Sequence, residues 1–304
     1  MPDNRHILSD RLTNILDNKP WLGCILCIGC STLTMVGFPV LWIAMAICAL
    51  VYFRHSLSYS LIFIVCAIIP FILSGQVDYF SVGSVLLLLP ICAVQNRYKS
   101  FSLTYEVCII ISICVILALH LLVPDLQSWW IGQYMKTEEV LLKDGVFTKL
   151  QVQEIIKVLA SVSTGLTALS MSINLFLVNF IATYIDALSK KQYGLFKEFM
   201  MMKMGLLSPI LTVFLAVSLF YTPGWVVDLT AYVIGIMITY GFIVSLGVVW
   251  RFFKARAWVI ISLFLFIFLL MTTNIFKLLM LLIAVTDYVA QWRTIFDSKD
   301  QPGQ

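Results

Sequence analysis

Two stretches of this chain, Trp21–Phe53 and Ala257–Val289, each run 33 residues; the first has no charged residue and the second only Lys277 and Asp287. A straight helix of that length would be about 50 Å long, against a bilayer hydrocarbon core of about 30 Å. Each run must therefore tilt steeply or fold back on itself as two short helices. Six further apolar runs lie between them, at about Leu57–Ser74, Phe80–Val94, Phe101–Val123, Ile155–Ile185, Gly205–Tyr221 and Val226–Trp250.

Composition points the same way. The chain is 61% hydrophobic and only 12% charged, with a mean hydropathy of +0.97. A water-soluble domain carries about 25% charged residues. Half that density cannot cover a water-facing surface, so lipid is the solvent for most of the molecule. The net charge of +4 is too small to suggest nucleic acid as a partner.

Charge distribution decides how the long runs fold. Basic clusters lie at Arg5/Arg11/Lys19, Arg54, Arg97/Lys99, Lys190/Lys191/Lys197/Lys203, Arg251/Lys254/Arg256 and Arg293/Lys299, whereas the short connections near Asp78 and Asp228 carry none. Basic residues stay on the cytoplasmic side of a membrane. Satisfying that rule requires both 33-residue runs to leave and return, with breaks near Gly37-Phe38-Pro39 and Thr272-Thr273-Asn274. Proline beside glycine is suited to interrupting a membrane helix.

The expectation is an all-α, polytopic transmembrane helical bundle of about 8–10 membrane helices, two short helical hairpins among them, with both termini cytoplasmic. Residues 1–20 form a cytoplasmic amphipathic segment with Leu8, Leu12, Ile15 and Leu16 on one face, and no cleavable signal sequence is evident. Residues 21–290 form the membrane domain and 291–304 a cytoplasmic tail. An extracytoplasmic loop over 124–154 opens with Trp129, Trp130 and Tyr134, which suits a helix in the headgroup layer or a lid over a cavity. A cytoplasmic loop over 186–204 carries Lys190, Lys191, Phe196 and Lys197. It reads as a contact with anionic lipid or as a docking point for a membrane or cytoplasmic protein partner.

Polar groups at membrane depth are the candidates for function, because each must find a partner away from lipid. They are Glu106, His120, Asn174, Asn179, Asn274, Lys277 and Asp287. Asn174, Asn179, Asn274 and Lys277 form the candidate binding set for a small-molecule ligand; interhelical hydrogen bonding is the competing account of the asparagines. Cys24-x-x-Cys27-x-x-Cys30 has ligand-like spacing, but a helix spreads it over a drifting apolar stripe, where cysteine packs as a small apolar residue. No metal or cofactor is expected, and no phosphate-binding loop, HExxH or GxSxG signature suggests an enzyme.

The C-terminal half resembles the YybS-like family of uncharacterised bacterial membrane proteins (domain of unknown function 2232). The resemblance rests on the segment Gly194-Leu-Phe-Lys-Glu-Phe199, the spans that follow, and the closing stretch Val285-Thr-Asp287-Tyr-Val-Ala-Gln-Trp292-Arg293. It implies a bacterial inner (plasma) membrane location. The family's layout is similar to that of substrate-binding subunits of energy-coupling-factor transporters, whose early helix carries a small-xxx-small pair; Ala44-x-x-x-Cys48 stands at that place here. The resemblance implies a small-solute binding or transport component. The alternative is a membrane scaffold or assembly factor docking through the 186–204 loop.

Overall fold

Gly37 ends the first helix of the first long run. It adopts φ +103°, a left-handed conformation that costs glycine nothing. The Gly37 N–H reaches Thr34 O at 3.0 Å and the Phe38 N–H reaches Leu33 O at 3.0 Å. This pair of bonds closes the carbonyl end of a helix, and a proline just beyond it prevents continuation. In the computed structural model the run is therefore two helices, α1's neighbours α2 (Pro20–Met35) and α3 (Leu41–Arg54), following α1 (Arg5–Asn18). Cys27 Sγ donates to Ala44 O at 3.8 Å, joining the two legs where both side chains are small.

The structure describes residues 5–74, 78–136, 148–192, 194–218, 223–253 and 272–290, with 138, 142, 220, 261–263, 265 and 267–269. The tail expected over 291–304, the basic residues Lys254, Arg256, Arg293 and Lys299, and Glu139, Lys143 and Asp144 of the 124–154 loop lie outside them. The remaining elements are α4 (Leu57–Leu73), α5 (Tyr79–Tyr98), α6 (Phe101–Leu122), α7 (Leu126–Met135), α8 (Lys149–Ser189), α9 (Leu195–Met200), α10 (Leu207–Ser218), α11 (Gly224–Phe253) and α12 (Asn274–Ala290). Among the described residues there is no strand.

Among the described residues four helices (α5, α6, α8 and α11) are long and apolar enough to cross a membrane; four more, α2, α3, α4 and α10, are apolar but shorter. A fifth candidate is the pair Ile261–Leu269 and Asn274–Ala290, which meet at a bend of 114°. The bend falls at the expected Thr272–Asn274 break. The helix α4 shows why lipid must surround them. Its buried residues Ser60, Phe63, Ile64, Ala67 and Phe71 follow helical spacing. Its opposite face, with Leu61, Ile62, Val65, Ile69 and Ile72, is equally apolar and exposed. A helix apolar all round belongs in a membrane bundle. The chain is an all-α membrane protein.

The chain divides into two units. One holds residues 1–108 and 171–202, with α1 to α5, the start of α6, the later part of α8, and α9. Here α2, α3 and α4 pack on one another, α5 packs on α3 and α4, and α1 lies on α2. The Ser60 hydroxyl donates to Cys48 O at 3.1 Å, and Thr104 Oγ1 donates to Gln95 Oε1 at 2.6 Å, so buried hydroxyls find partners inside the bundle. Phe199 on α9 is buried in a ring cluster with Phe101, Phe176 and Phe180, its centroid 4.2 Å from that of Phe180.

The other unit holds residues 109–170 and 203–304, and in it α10, α11 and α12 pack on one another. The α11–α12 contact is close because Gly241 lacks a side chain: a Cβ there would stand 1.9 Å from Met280 O. The Tyr240 hydroxyl accepts from the Met204 N–H at 3.0 Å and donates to Asp287 Oδ2 at 2.7 Å, tying the start of α10 to the end of α12 through α11. The apolar run expected over Ile155–Ile185 is extended by α8 at both ends to 41 residues, about 60 Å at 1.5 Å per residue.

Candidate functional site

The second unit contains a buried carboxylate in an apolar helix. Asp228 lies in the second turn of α11, and its side chain is 5% exposed. Removing such a group from water costs several kcal/mol unless it is paired and hydrogen-bonded. Asp228 Oδ2 lies 2.9 Å from Nε2 of His120, near the end of α6. Oδ1 accepts the backbone N–H of Gly165, within α8, also at 2.9 Å. Glycine is required at 165, since a Cβ would stand 2.0 Å from Asp228 O. Small size at one position thus allows α11 to approach α8 closely enough for a main-chain N–H to reach the carboxylate.

A cavity of about 240 Å³ opens beside this pair, lined by His120, Gln127, Ala160, Ser161, Gly224, Val227 and Asp228. The helix α7 contributes Gln127 and is fastened to α8 by its aromatic residues. Trp130 Nε1 donates to Thr164 Oγ1 at 2.9 Å, and Tyr134 OH lies 2.7 Å from Ser163 Oγ. The Asp125 side chain caps α7 by accepting the Ser128 N–H at 3.0 Å, and the Ser128 hydroxyl together with that N–H holds its carboxyl below the usual aspartate value. The aromatic residues at the head of the 124–154 loop thus bond to the hydroxyls of α8 beside Gly165.

A second polar assembly sits in the first unit. The Arg54 guanidinium, at the end of α3, forks onto Asp17 of α1, with Nε 3.2 Å from Oδ1. Its Nη1 donates to Ser189 Oγ at 2.9 Å and lies 3.6 Å from Asp186 Oδ1. His55 Nε2 lies 3.0 Å from Asp17, and Lys190 pairs with Asp186 at 2.6 Å. The bond to Arg54 holds the Asp17 carboxyl below its ordinary value. Beside this cluster is an open cavity of about 480 Å³ lined by Asp10, Thr13, Asn14, Arg54, Ser189 and Lys190. The N-terminal helix, Arg54 and the end of α8 therefore lie at one end of this unit.

The four residues of the candidate ligand set do not share one environment. Asn174 and Asn179 belong to the first unit, Asn274 and Lys277 to the second. Asn174 is exposed, while Asn179 is fully buried. Asn179 Oδ1 accepts from Thr183 within the same helix at 3.3 Å, and its Nδ2 has no hydrogen-bond partner among the described residues. Lys277 Nζ donates to Asn274 Oδ1 at 3.2 Å, an exposed pair one turn apart. Of the docking set, Lys190, Lys191 and Lys197 are exposed and Phe196 is half-buried. Asp228 and Gly165 were not singled out in the sequence: Asp228 reads as a connection residue, and Gly165 as one small residue in a long apolar run. A carboxylate followed by some 20 apolar residues was the available signal.

Compared with models of known protein families, with curated proteins and with solved structures, the chain matches none.

Proposed function

We propose that this protein is a small-solute binding or transport component of a bacterial inner membrane, and that the His120–Asp228 cavity holds the solute. The observation that carries this reading is a carboxylate buried near the start of a long apolar helix, fixed by an imidazole and a main-chain N–H on the wall of a 240 Å³ cavity. Ionisable groups retained within spans are costly and mark ligand or ion pathways. The cavity lies below the 300–1,000 Å³ of drug-sized ligand sites, so the solute is small.

Both termini are cytoplasmic in this proposal. The clustering of α1, Arg54 and the end of α8 supports it, since these are the segments that the charge rule assigns to the cytoplasm. The closing Asp287 pattern supports membership of the YybS-like family.

Thermal unfolding of the purified protein against a panel of small metabolites tests the reading. At least one should raise the Tm of the wild type and leave Asp228→Asn unmoved. A panel that moves neither protein would overturn it.

The scaffold reading is favoured by one observation: Lys190, Lys191 and Lys197 are exposed around the end of α8 and on α9. Crosslinking from these lysines that captures one defined protein in stoichiometric yield would favour it over solute binding.

A further inference from the structure

Two helices of the first unit end in the same unusual way. Lys99 closes α5 at φ +52° and Lys191 follows α8 at φ +55°, and among the described residues these are the two non-glycine residues in the left-handed region. A side chain is strained in that conformation, and glycine or asparagine ordinarily stands there. The turns are otherwise regular: the Lys99 N–H reaches Gln95 O at 2.9 Å, and the Lys191 N–H reaches Leu188 O at 3.1 Å. Glycine would make the same bonds without strain, so what lysine adds at both positions is its charge.

Packing brings these ends together. Phe101, at the start of α6, meets Phe180 of α8 edge-on at 5.4 Å, and Tyr105 meets Phe176 at 4.9 Å. The short helix α9 folds back so that Phe199 packs on Phe101, Phe176 and Phe180, while the Glu198 carboxyl bonds to the Phe101 backbone N–H. Lys99 stands two residues before Phe101 and Lys197 two before Phe199, so the α5–α6 and α8–α9 connections present their cations at one end of this unit. Arg97, Lys99, Lys191 and Lys197 are exposed there, and among the described residues none has a carboxylate partner. Lys190 is already paired with Asp186, and Lys99 gives one hydrogen to Asn96 Oδ1 at 2.9 Å. Against the four positive charges stands one further exposed carboxylate, that of Glu198.

The helices α5, α6 and α8 are each long and apolar enough to cross a membrane. The connection Lys99-Ser100 therefore stands at the boundary between hydrocarbon and water. Tyr98 is exposed beside it, with the Arg97 guanidinium 5.6 Å above its ring, a pairing suited to the headgroup layer. Lysine and arginine clustered next to spans recognise anionic lipids. We propose that Arg97, Lys99, Lys191 and Lys197 form a seat for the phosphate headgroup of an anionic phospholipid. The seat belongs to the first unit and the His120–Asp228 cavity to the second, so either can fail without the other.

The test titrates the full-length protein with phosphatidylglycerol and, separately, with phosphatidylcholine of the same acyl chains, and counts retained lipid by native mass spectrometry. The wild type should hold the anionic lipid about tenfold more tightly or better, and the preference should shrink as salt rises. Lys99→Gly/Lys191→Gly removes two charges and the backbone strain together. It should melt no lower than the wild type in phosphatidylcholine, yet lose about fivefold in anionic-lipid affinity for each lysine removed. Lys99→Arg/Lys191→Arg should keep the preference. Equal retention of the two lipids by the wild type, or an undiminished preference in the glycine variant, would overturn the assignment. Displacement of the lipid by equimolar glycerol phosphate would also overturn it, since the ligand would then be a soluble anion, as would a protein captured at Lys197 that excludes the lipid.

Discussion

The backbone N–H of Gly165 lies 2.9 Å from Oδ1 of Asp228, a bond from the interior of one helix to the side chain of another. It exists only because position 165 has no Cβ. Gly165→Ala would drive a methyl group into the Asp228 carbonyl, a backbone atom that cannot move aside. Overpacking of this kind costs about 1–3 kcal/mol. The variant should melt well below the wild type, and a Tm unchanged within a degree would refute this contact.

The helix α7 should loosen without unfolding the rest. Tyr134→Phe keeps its ring and Trp130→Phe keeps a smaller aromatic one, while they delete the bonds to Ser163 and Thr164. Each loss should cost about 1 kcal/mol. Amide exchange over 126–135 should accelerate in both variants while α11 stays protected. Equal protection of α7 in wild type and variants would show that these bonds do not hold it.

Acid should release the N-terminal helix. The Asp17 carboxyl lies below its ordinary value of 3.8 in the folded protein, chiefly through the bond to Arg54. A depressed folded value stabilises the native state above the unfolded value, and the gain is lost as pH falls through the folded one. Asp17→Asn should therefore be less stable than the wild type near neutrality, by about 1 kcal/mol or less for so solvated a pair. The gap in Tm should narrow as pH falls below the ordinary aspartate value of 3.8. A gap that widened on acidification would contradict the assignment.

Tyr240→Phe deletes the hydroxyl that serves both the Met204 N–H and Asp287 Oδ2. Two buried polar groups each lose a partner, and the cost should be about 2 kcal/mol. Urea or thermal unfolding in detergent would measure it, and a value near zero would mean that other groups take over at once.

Asn179→Leu should be neutral or stabilising. The fully buried Nδ2 has no hydrogen-bond partner among the described residues, and an apolar group of similar volume removes the desolvation penalty. A loss of more than about 1 kcal/mol would reveal a ligand or partner for that amide.

The long-range order of this molecule was legible where a local cause wrote it. Gly37-Phe38-Pro39 announced the break between α2 and α3 because helix termination is chemistry of adjacent residues, and Thr272–Asn274 did the same before α12. The sequence also singled out His120, since an imidazole in an apolar run is conspicuous. Its partner was not legible. Asp228 sits 108 positions away at a helix start, where an aspartate ordinarily needs no explanation, and Gly165 matters only through the helix that crosses it. The candidate set of Asn174, Asn179, Asn274 and Lys277 was chosen by polarity alone, which does not say which face of a helix turns inward: Asn174 and Asn274 are exposed, and only Asn179 is buried.

The hairpin ended by Gly37 also has a consequence for how the chain meets the membrane. Its legs are 16 and 14 residues long, about 24 and 21 Å at 1.5 Å per residue. Ordinary acyl chains form a layer of about 30 Å, so each leg is shorter than the layer that a straight spanning helix has to cross, and the pair makes a compact wedge of small and apolar side chains rather than two full-length spans.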